Sequence, residues 1–215
     1  MNIFLVIPAY NEQDSLQALV PLLVKLPYSL LVVNDCSCDS TLEILSSYPE
    51  IKTISNECNL GYSQSLNIGI QKAFHSGASH VITLDSDGQH PLAILPDIAQ
   101  LLATGSNCVL TIRSGPKPRL SEQLLGFLAQ GLWSVPDIYC GMRGFSRSFW
   151  LQYFSPNTNT PCMEYPFLQA LISGFRPDLI PIKVLPRLNG KPRFSDRISA
   201  DFLIFKSFFK SLSIS

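Results

Sequence analysis

The chain is short of charge. Asp, Glu, Lys and Arg make up 15% of its 215 residues, against 46% hydrophobic residues, and acids and bases balance at 16 each. A balanced charge gives nucleic-acid binding no support, and so little charge overall implies that an apolar face stays exposed. No apolar run reaches the ~18 residues of a bilayer-spanning helix, so no transmembrane segment is expected. Cysteine is present six times, but only Cys36 and Cys38 are close in sequence, and without a second close pair a zinc-ribbon spacing is missing. Met1 runs straight into an apolar stretch without a basic leader, so no secretory signal is expected. Reduced thiols and a cytoplasmic location follow as expectations. Neither a glycine-rich G-x-G-x-x-G turn nor a phosphate-loop lysine motif occurs, so a bound nucleotide would not be cradled by glycines.

What is present is an alternation of strands and helices over residues 1–113. Apolar runs at "NIFLVIPAY", "SLLVVND", "IKTISN", "HVITLDSD" and "NCVLTIRS" read as five strands. Between them, residues 15–26 (disturbed by Pro21), a helix capped by Asp39 or Ser40, residues 63–75 and "PLAILPDIAQLLATG" read as helices. That order predicts an α/β fold with a parallel sheet covered by helices on both faces. Beyond 113 the spacing predicts a helix over 119–133, a strand entering a turn or helix at "YCGMRGFSR", a helix ended by Gly174 and a proline-broken strand at "LIPIKVLPR". The tail from Ile198 reads as helix. No internal repeat or linker is evident, so one continuous domain is expected.

Polar groups gather at the carboxyl ends of the expected strands, where open parallel sheets bind ligands. Tyr10, Asn11 and Glu12 follow the first strand, Asn34 and Asp35 end the second, and Asp85 and Asp87 end the fourth. A single acid there is an ordinary turn starter; three acidic strand ends argue for a site. Two carboxylates one residue apart repel unless a cation or a shared proton offsets them. A hard divalent ion with oxygen ligands would do so, and magnesium prefers one or two carboxylates together with substrate phosphates. Gln89 is a further oxygen donor. His90 is a weaker candidate, read instead as a surface residue at a helix start. An EF-hand reading fails because residue 96, where its Glu should stand, is Pro, and an aspartyl phosphatase would carry the pair on its first strand.

Six blocks, "IPAYNE", "VVNDCSCDST", "NLGYSQSLNIGI", "LDSDGQH", "CGMRGF" and "PIKVLPRLNGKPRFS", occur in this order. Together they resemble the family 2 glycosyltransferases with the GT-A fold, a Rossmann-like sheet flanked by helices. They look most like the branch that transfers mannose or glucose to polyprenyl (dolichyl-type) phosphates. The resemblance covers about residues 1–195 as one domain and leaves 196–215 as an amphipathic helical tail. It implies transfer of a hexose from a GDP- or UDP-sugar with inversion at the anomeric carbon, using Mg²⁺ or Mn²⁺. Pro8, Tyr10 and Glu12 would then lie around the nucleoside, with Asp35 on the base. Asp85, Asp87 and Gln89 would hold the metal on the diphosphate. Arg113, Arg143 and Arg187 match basic positions that face phosphates. Independently, a departing nucleoside diphosphate develops negative charge that a metal and arginines would stabilise.

The acceptor is less constrained. A lipid phosphate is already ionised and needs little general-base help, whereas a sugar hydroxyl would need a base, for which Asp87 and Glu164 are the candidates. Departures from the family pattern at Cys36-Ser37-Cys38-Asp39, Thr111-Ile112-Arg113 and Gly190-Lys191-Pro192-Arg193 bear on the acceptor more than on the donor. Over residues 198–212 a wide apolar face (Phe202, Phe205, Phe209, Leu212, broadened by Ile204 and Phe208) runs beside Lys206 and Lys210. It predicts peripheral contact with the inner membrane face, or packing on the domain or a second copy. The competing functions are extension of a surface glycan on a hydroxyl and a silent sugar-nucleotide-binding partner, the latter disfavoured by the intact acids and arginines.

Overall fold

In the computed structural model, which describes residues 1–115, 119–154, 165–188 and Phe208, β1 (Ile3–Ala9) is buried along its whole length. Its sequence IFLVIPA is apolar on both pleat faces, as a strand covered from two sides must be. The even residues Phe4 and Val6 join one core with Leu66 and Ile70 of α3 (Tyr62–His75) and Leu125 and Ala129 of α5 (Leu120–Trp133). The odd residues Ile3, Leu5 and Ile7 join a second core. There they meet Leu16, Leu19 and Leu23 of α1 (Gln13–Leu23) and Ile98 and Leu102 of α4 (Leu95–Ala103).

The remaining strands are β2 (Ser29–Asn34), β3 (Ile51–Ser55), β4 (His80–Thr83), β5 (Cys108–Arg113), β6 (Arg143–Ser146) and β7 (Asp178–Ile182). They form one seven-stranded sheet in the order β3-β2-β1-β4-β6-β5-β7. Every pairing is parallel except those of β6, which runs antiparallel between β4 and β5. The expected parallel sheet with helices on both faces is therefore present, with one reversed strand. Helices α2 (Thr41–Ser46), α6 (Arg147–Tyr153) and α7 (Tyr165–Ile172) complete the described elements, and a 3₁₀ turn at Leu92–Ile94 leads into α4.

Several boundaries differ from the sequence reading for local reasons. α1 passes through Pro21, whose missing N–H would have bonded the carbonyl of Gln17 on the exposed side of the helix. Asp39, not Ser40, caps α2: its Oδ1 accepts from the Thr41 N–H at 3.0 Å, and Ser40 makes no side-chain cap. β4 ends at Thr83, so Asp85 and Asp87 stand in the turn beyond the strand, which Gly88 closes with φ 76°. β6 runs directly into α6, where the Ser146 hydroxyl caps Phe149. Gly174, with φ 89°, follows α7 as the expected stop. Of the tail, only Phe208 is described. It is buried, with its ring 6.5 Å from that of Trp133 at the end of α5, which is packing on the domain. The proposed amphipathic helix otherwise lies outside the described residues.

α3 reaches β1 and β2 through Gly69. A Cβ there would stand 2.5 Å from Val6 Cγ1 and 2.9 Å from Val33 Cγ2. Alanine in mid-helix gains about 1 kcal/mol in propensity, but forcing a methyl into a filled core costs about 1–3 kcal/mol. The contact is tight enough for overpacking to win. Gly69→Ala is expected to lower stability by about 1 kcal/mol or more in chemical denaturation; unchanged or raised stability would contradict this packing.

Candidate donor-binding site at the sheet edge

The carboxyl ends of β1, β2 and β4 lie side by side, because β1 pairs with both neighbours. This brings Tyr10, Glu12, Asp35, Asp85 and Asp87 to one edge of the sheet. Two loops there are stitched to each other. Asn11, at φ 49°, donates its N–H to Ser37 Oγ at 2.9 Å and accepts from the Cys38 N–H at 2.7 Å. Thr41 Oγ1 accepts from Glu12 N at 2.8 Å, and Gln13 Oε1 from Ser40 N at 3.0 Å. Pro8 stands inside β1, paired with Val33, one residue before the edge.

Asp35 is 3% exposed. Its Oδ1 accepts from Asn56 Nδ2 at 2.8 Å and Leu60 N at 2.9 Å, and its Oδ2 from Gly61 N at 2.8 Å. Burial pushes its pKa up, but these donors together with Ser65 outweigh burial and hold it below the usual carboxylate value. The carboxylate thus fixes the loop entering α3.

The Asp85 N–H donates to His90 Nδ1 at 3.0 Å, Tyr62 donates its hydroxyl to Asp85 Oδ1 at 2.9 Å, and His90 Nε2 lies 3.7 Å from Asp85 Oδ2. Asp87 Oδ1 accepts from the Gln89 N–H at 3.0 Å, and its Oδ2 lies 3.3 Å from Arg187 Nη1. Burial first, and Asp85 second, push the Asp87 carboxyl pKa up, more than Arg187 and the Gln89 amide pull it down. Arg187 also donates from Nη2 to Glu12 Oε1 at 2.6 Å, so one guanidinium spans acids from β1 and β4. The segment carrying it runs along the acidic turn: Leu188 N donates to Asp87 O and Leu185 N to Gln89 O. Gln89 Nε2 lies 3.5 Å from Leu185 O.

His90 is not the surface residue its sequence position suggests. It is 6% exposed, with Nε2 3.9 Å from Cys140 Sγ, which in turn is 3.0 Å from Thr111 Oγ1. Burial pushes the imidazole pKa down, while Asp85, Cys140 and Asp87 together push it up to about 8. Because the Asp85 N–H donates to Nδ1, the neutral ring carries its proton on Nε2, and charging it would cost that hydrogen bond. Gly141 completes this wall, since a Cβ there would stand 2.7 Å from Asp85 Oδ1.

Arg113 and Arg143, expected to face phosphates, have internal partners. Arg113 makes a bidentate pair with Asp137, at 2.7 and 2.9 Å, and a further bond to Glu122 at 2.8 Å. Arg143 is 3% exposed and donates to the carbonyls of Cys140 and Ile138 at 2.8 and 3.0 Å, its guanidinium 4.6 Å from the Phe167 ring centre. Neither charge is turned to the acids at the edge; Arg187 is. Glu164 and the basic residues Lys191 and Arg193 lie outside the described residues. The sequence does not single out Tyr62, and it suggests neither the burial of His90 nor the approach of Gly141 to Asp85. The only signal is their position inside the six ordered blocks, which does not say what a side chain touches.

Residues 4–154 match glycosyl transferase family 2. The chain belongs to that family. It is similar to the undecaprenyl-phosphate 4-deoxy-4-formamido-L-arabinose transferase of Pectobacterium carotovorum subsp. carotovorum, 32% identical over 68% of this chain and 49% of the relative. It is also similar to the UDP-N-acetylglucosamine–dolichyl-phosphate N-acetylglucosaminyltransferase of Methanococcus voltae, 28% identical over 68% of this chain and 70% of that one. The chain spans about half the length of the first of these relatives. Its fold matches the crystal structure of glucosyl-3-phosphoglycerate synthase from Mycobacterium tuberculosis in complex with Mn²⁺, UDP and phosphoglyceric acid. The TM-score is 0.75 at 19% identity, covering 98% of this chain and 78% of that one.

The acids fit the divalent ion that the family likeness implies, within a limit. Asp85 raises the pKa of Asp87, the repulsion a cation between them would relieve. Among the described residues no cluster of three or more His, Cys, Asp or Glu side chains would hold a metal alone. Two carboxylates suffice for an ion that brings water and diphosphate oxygens with it.

The Asp35 network carries a pH signature. A carboxyl whose native pKa is lowered adds stability above its unfolded pKa, and loses it as pH falls through the native value. Asp35→Asn is therefore expected to cost about 1–3 kcal/mol at pH 7, with the deficit shrinking on acidification as the wild-type acid itself protonates. Thermal denaturation of both proteins at pH 7 and below the carboxylate range checks this; a deficit constant with pH would refute it.

Proposed function

We propose that this protein transfers a hexose from a nucleoside diphosphate sugar to a polyprenyl phosphate, with inversion and with a divalent ion. The observation that carries the reading is Asp85 and Asp87 beyond β4, beside Asp35 at the end of β2 and under Arg187. That sheet edge is where open parallel sheets take nucleotides. Asp35 shapes the nucleoside side by fixing residues 60 and 61, and Tyr10 offers an aromatic face next to it. Asp85 and Asp87, with Gln89 beside them, would hold Mg²⁺ or Mn²⁺ on the diphosphate. Bound there, the ion would neutralise charge on the leaving nucleoside diphosphate. Arg187 is the one cation of the three expected that stands at the acids, placed to meet a phosphate when the ion takes over Asp87 while Glu12 keeps its hold on the guanidinium. UDP is the first donor base to test, because the Methanococcus relative is named for a UDP-sugar and the Mycobacterium structure holds UDP.

A phosphate acceptor is favoured because its nucleophilic oxygen is already ionised, so no base is required of the site. Both relatives are named for polyprenyl-type phosphates. The surface supports a lipid acceptor. On α5, Leu120, Leu124, Phe127, Leu128 and Leu132 are exposed, Phe127 at 78%, and no charged side chain stands on that face. An exposed helix face of that kind suits a membrane interface. Among the described residues no helix is long and apolar enough to cross a membrane, so peripheral contact is the form proposed.

Two experiments test the reading. Asp87→Ala should abolish sugar transfer and the Mn²⁺-dependence of UDP binding while the protein stays folded; near wild-type turnover in EDTA would remove the metal site. In co-sedimentation with anionic phospholipid vesicles, the double substitution Leu124→Gln and Phe127→Gln should cut partitioning at least ten-fold, two large side chains being worth about 1.5 kcal/mol or more each on burial. Absence of vesicle binding by the intact protein would leave the hydroxyl acceptor as the better reading.

A further inference from the structure

The proposed donor site has a nucleoside half around Asp35 and a diphosphate half around Asp85, supplied by different strands. The connection between β3 and α3 touches both. Leu60 and Gly61 give their N–H groups to the Asp35 carboxylate, and the next residue, Tyr62, gives its hydroxyl to Asp85 Oδ1 at 2.9 Å. Gly61 makes this possible: at φ 85° it turns the chain into α3, so successive residues address carboxylates of two strands. The Asp85 carboxylate is bounded elsewhere too, by Gly141, which admits no side chain, and by His90, whose Nδ1 accepts the Asp85 N–H. It remains 32% exposed on the side facing solvent. The Tyr62 ring is itself 38% exposed, so its ring adds little to the core.

We propose that Tyr62 is a positioning residue. Its hydroxyl holds the Asp85 carboxylate in one orientation and ties it to the loop ordered by Asp35, so the two halves of the donor site are set by one turn of chain. A phenol donating to a carboxylate is a charge-assisted bond with a preferred direction, and a ligand held in place beforehand loses less freedom when an ion arrives. The inference rests on reading Asp85 as a metal ligand.

Tyr62→Phe removes the hydroxyl and keeps the ring. With UDP present, Mn²⁺ affinity, read from the electron paramagnetic resonance of the free ion, is expected to weaken about five- to ten-fold, the scale of one hydrogen bond to a charged group partly open to water. UDP affinity in EDTA, by calorimetry, and the melting temperature are expected to stay at wild-type values. Unchanged Mn²⁺ affinity in the variant would overturn the role. So would a fall in melting temperature and metal-free UDP affinity with Mn²⁺ affinity intact, which marks a structural hydroxyl. A wild-type protein that binds UDP equally with and without Mn²⁺ would overturn the metal reading itself, and this inference with it.

Discussion

Negative charge gathered at one edge of a parallel sheet is the constraint around which the site is arranged. Glu12, Asp35 and Asp87 are buried, and Asp85 stands beside them. Partly buried carboxylates with no compensation would shift their pKa values and neutralise. The chain answers each one differently. Asp35 receives amide donors, an arrangement that needs no counter-ion and lowers its pKa. Glu12 and Asp87 share one guanidinium. Asp85 receives a phenol and a backbone-anchored imidazole. Asp87, despite its share of that guanidinium, is left with a raised pKa, because burial and the neighbouring Asp85 outweigh its donors, so a further cation beside it would be stabilising.

The reversed strand β6 explains how the wall behind Asp85 comes to be there. Antiparallel pairing of Thr83 with Arg143 carries the preceding residues, Cys140 and Gly141, back past the end of β4. Thr83 Oγ1 then donates to Gly141 O at 2.7 Å, and the backbone of Gly141 lies against the Asp85 carboxylate. A parallel strand in that slot would begin at the opposite end of β4 and deliver other residues to the acids. The buried guanidinium of Arg143 belongs to the same turn. By donating to the carbonyls of residues 138 and 140 it satisfies backbone acceptors that irregular buried chain would otherwise leave unpaired.

Much of this was legible in the sequence, and the reasons it stopped are physical. The central strands announce themselves because IFLVIPA and SLLVVN are too continuously apolar for a surface element. Their carboxyl ends then locate Asp35, Asp85 and Asp87 without further information. β6 has only four residues, RGFS, and nothing in them tells that they slot between β4 and β5 in reverse. The arginines show the larger gap. A charge in a sequence carries no address: Arg113 could be read as facing phosphate because Asp137, 24 residues away, is invisible as its partner. His90 was misplaced for the same reason. A polar residue before Pro91 looks like a surface turn, and only the return of Cys140 and the Asp85 amide makes a buried position tolerable for it.

Arg187 joins these observations. Sequence alone leaves it in a basic loop, 175 residues from Glu12. In the fold its segment adds backbone bonds along residues 87–89, and Leu188 fills the space over Gly88, where a Cβ would meet Leu188 Cδ1 at 2.3 Å. Gly88 therefore serves twice, turning the chain at φ 76° and leaving room for the segment that carries the arginine. The guanidinium meets Glu12 and Asp87 at 2.6 and 3.3 Å, and the longer contact is the one to the acid whose pKa stays high. The pair with Glu12 thus anchors Arg187, while its hold on Asp87 is the weaker of the two. A cation arriving at Asp87 would displace the weaker contact and leave the stronger one. The guanidinium would then remain fixed at the edge of the site, facing whatever anion the cation brings.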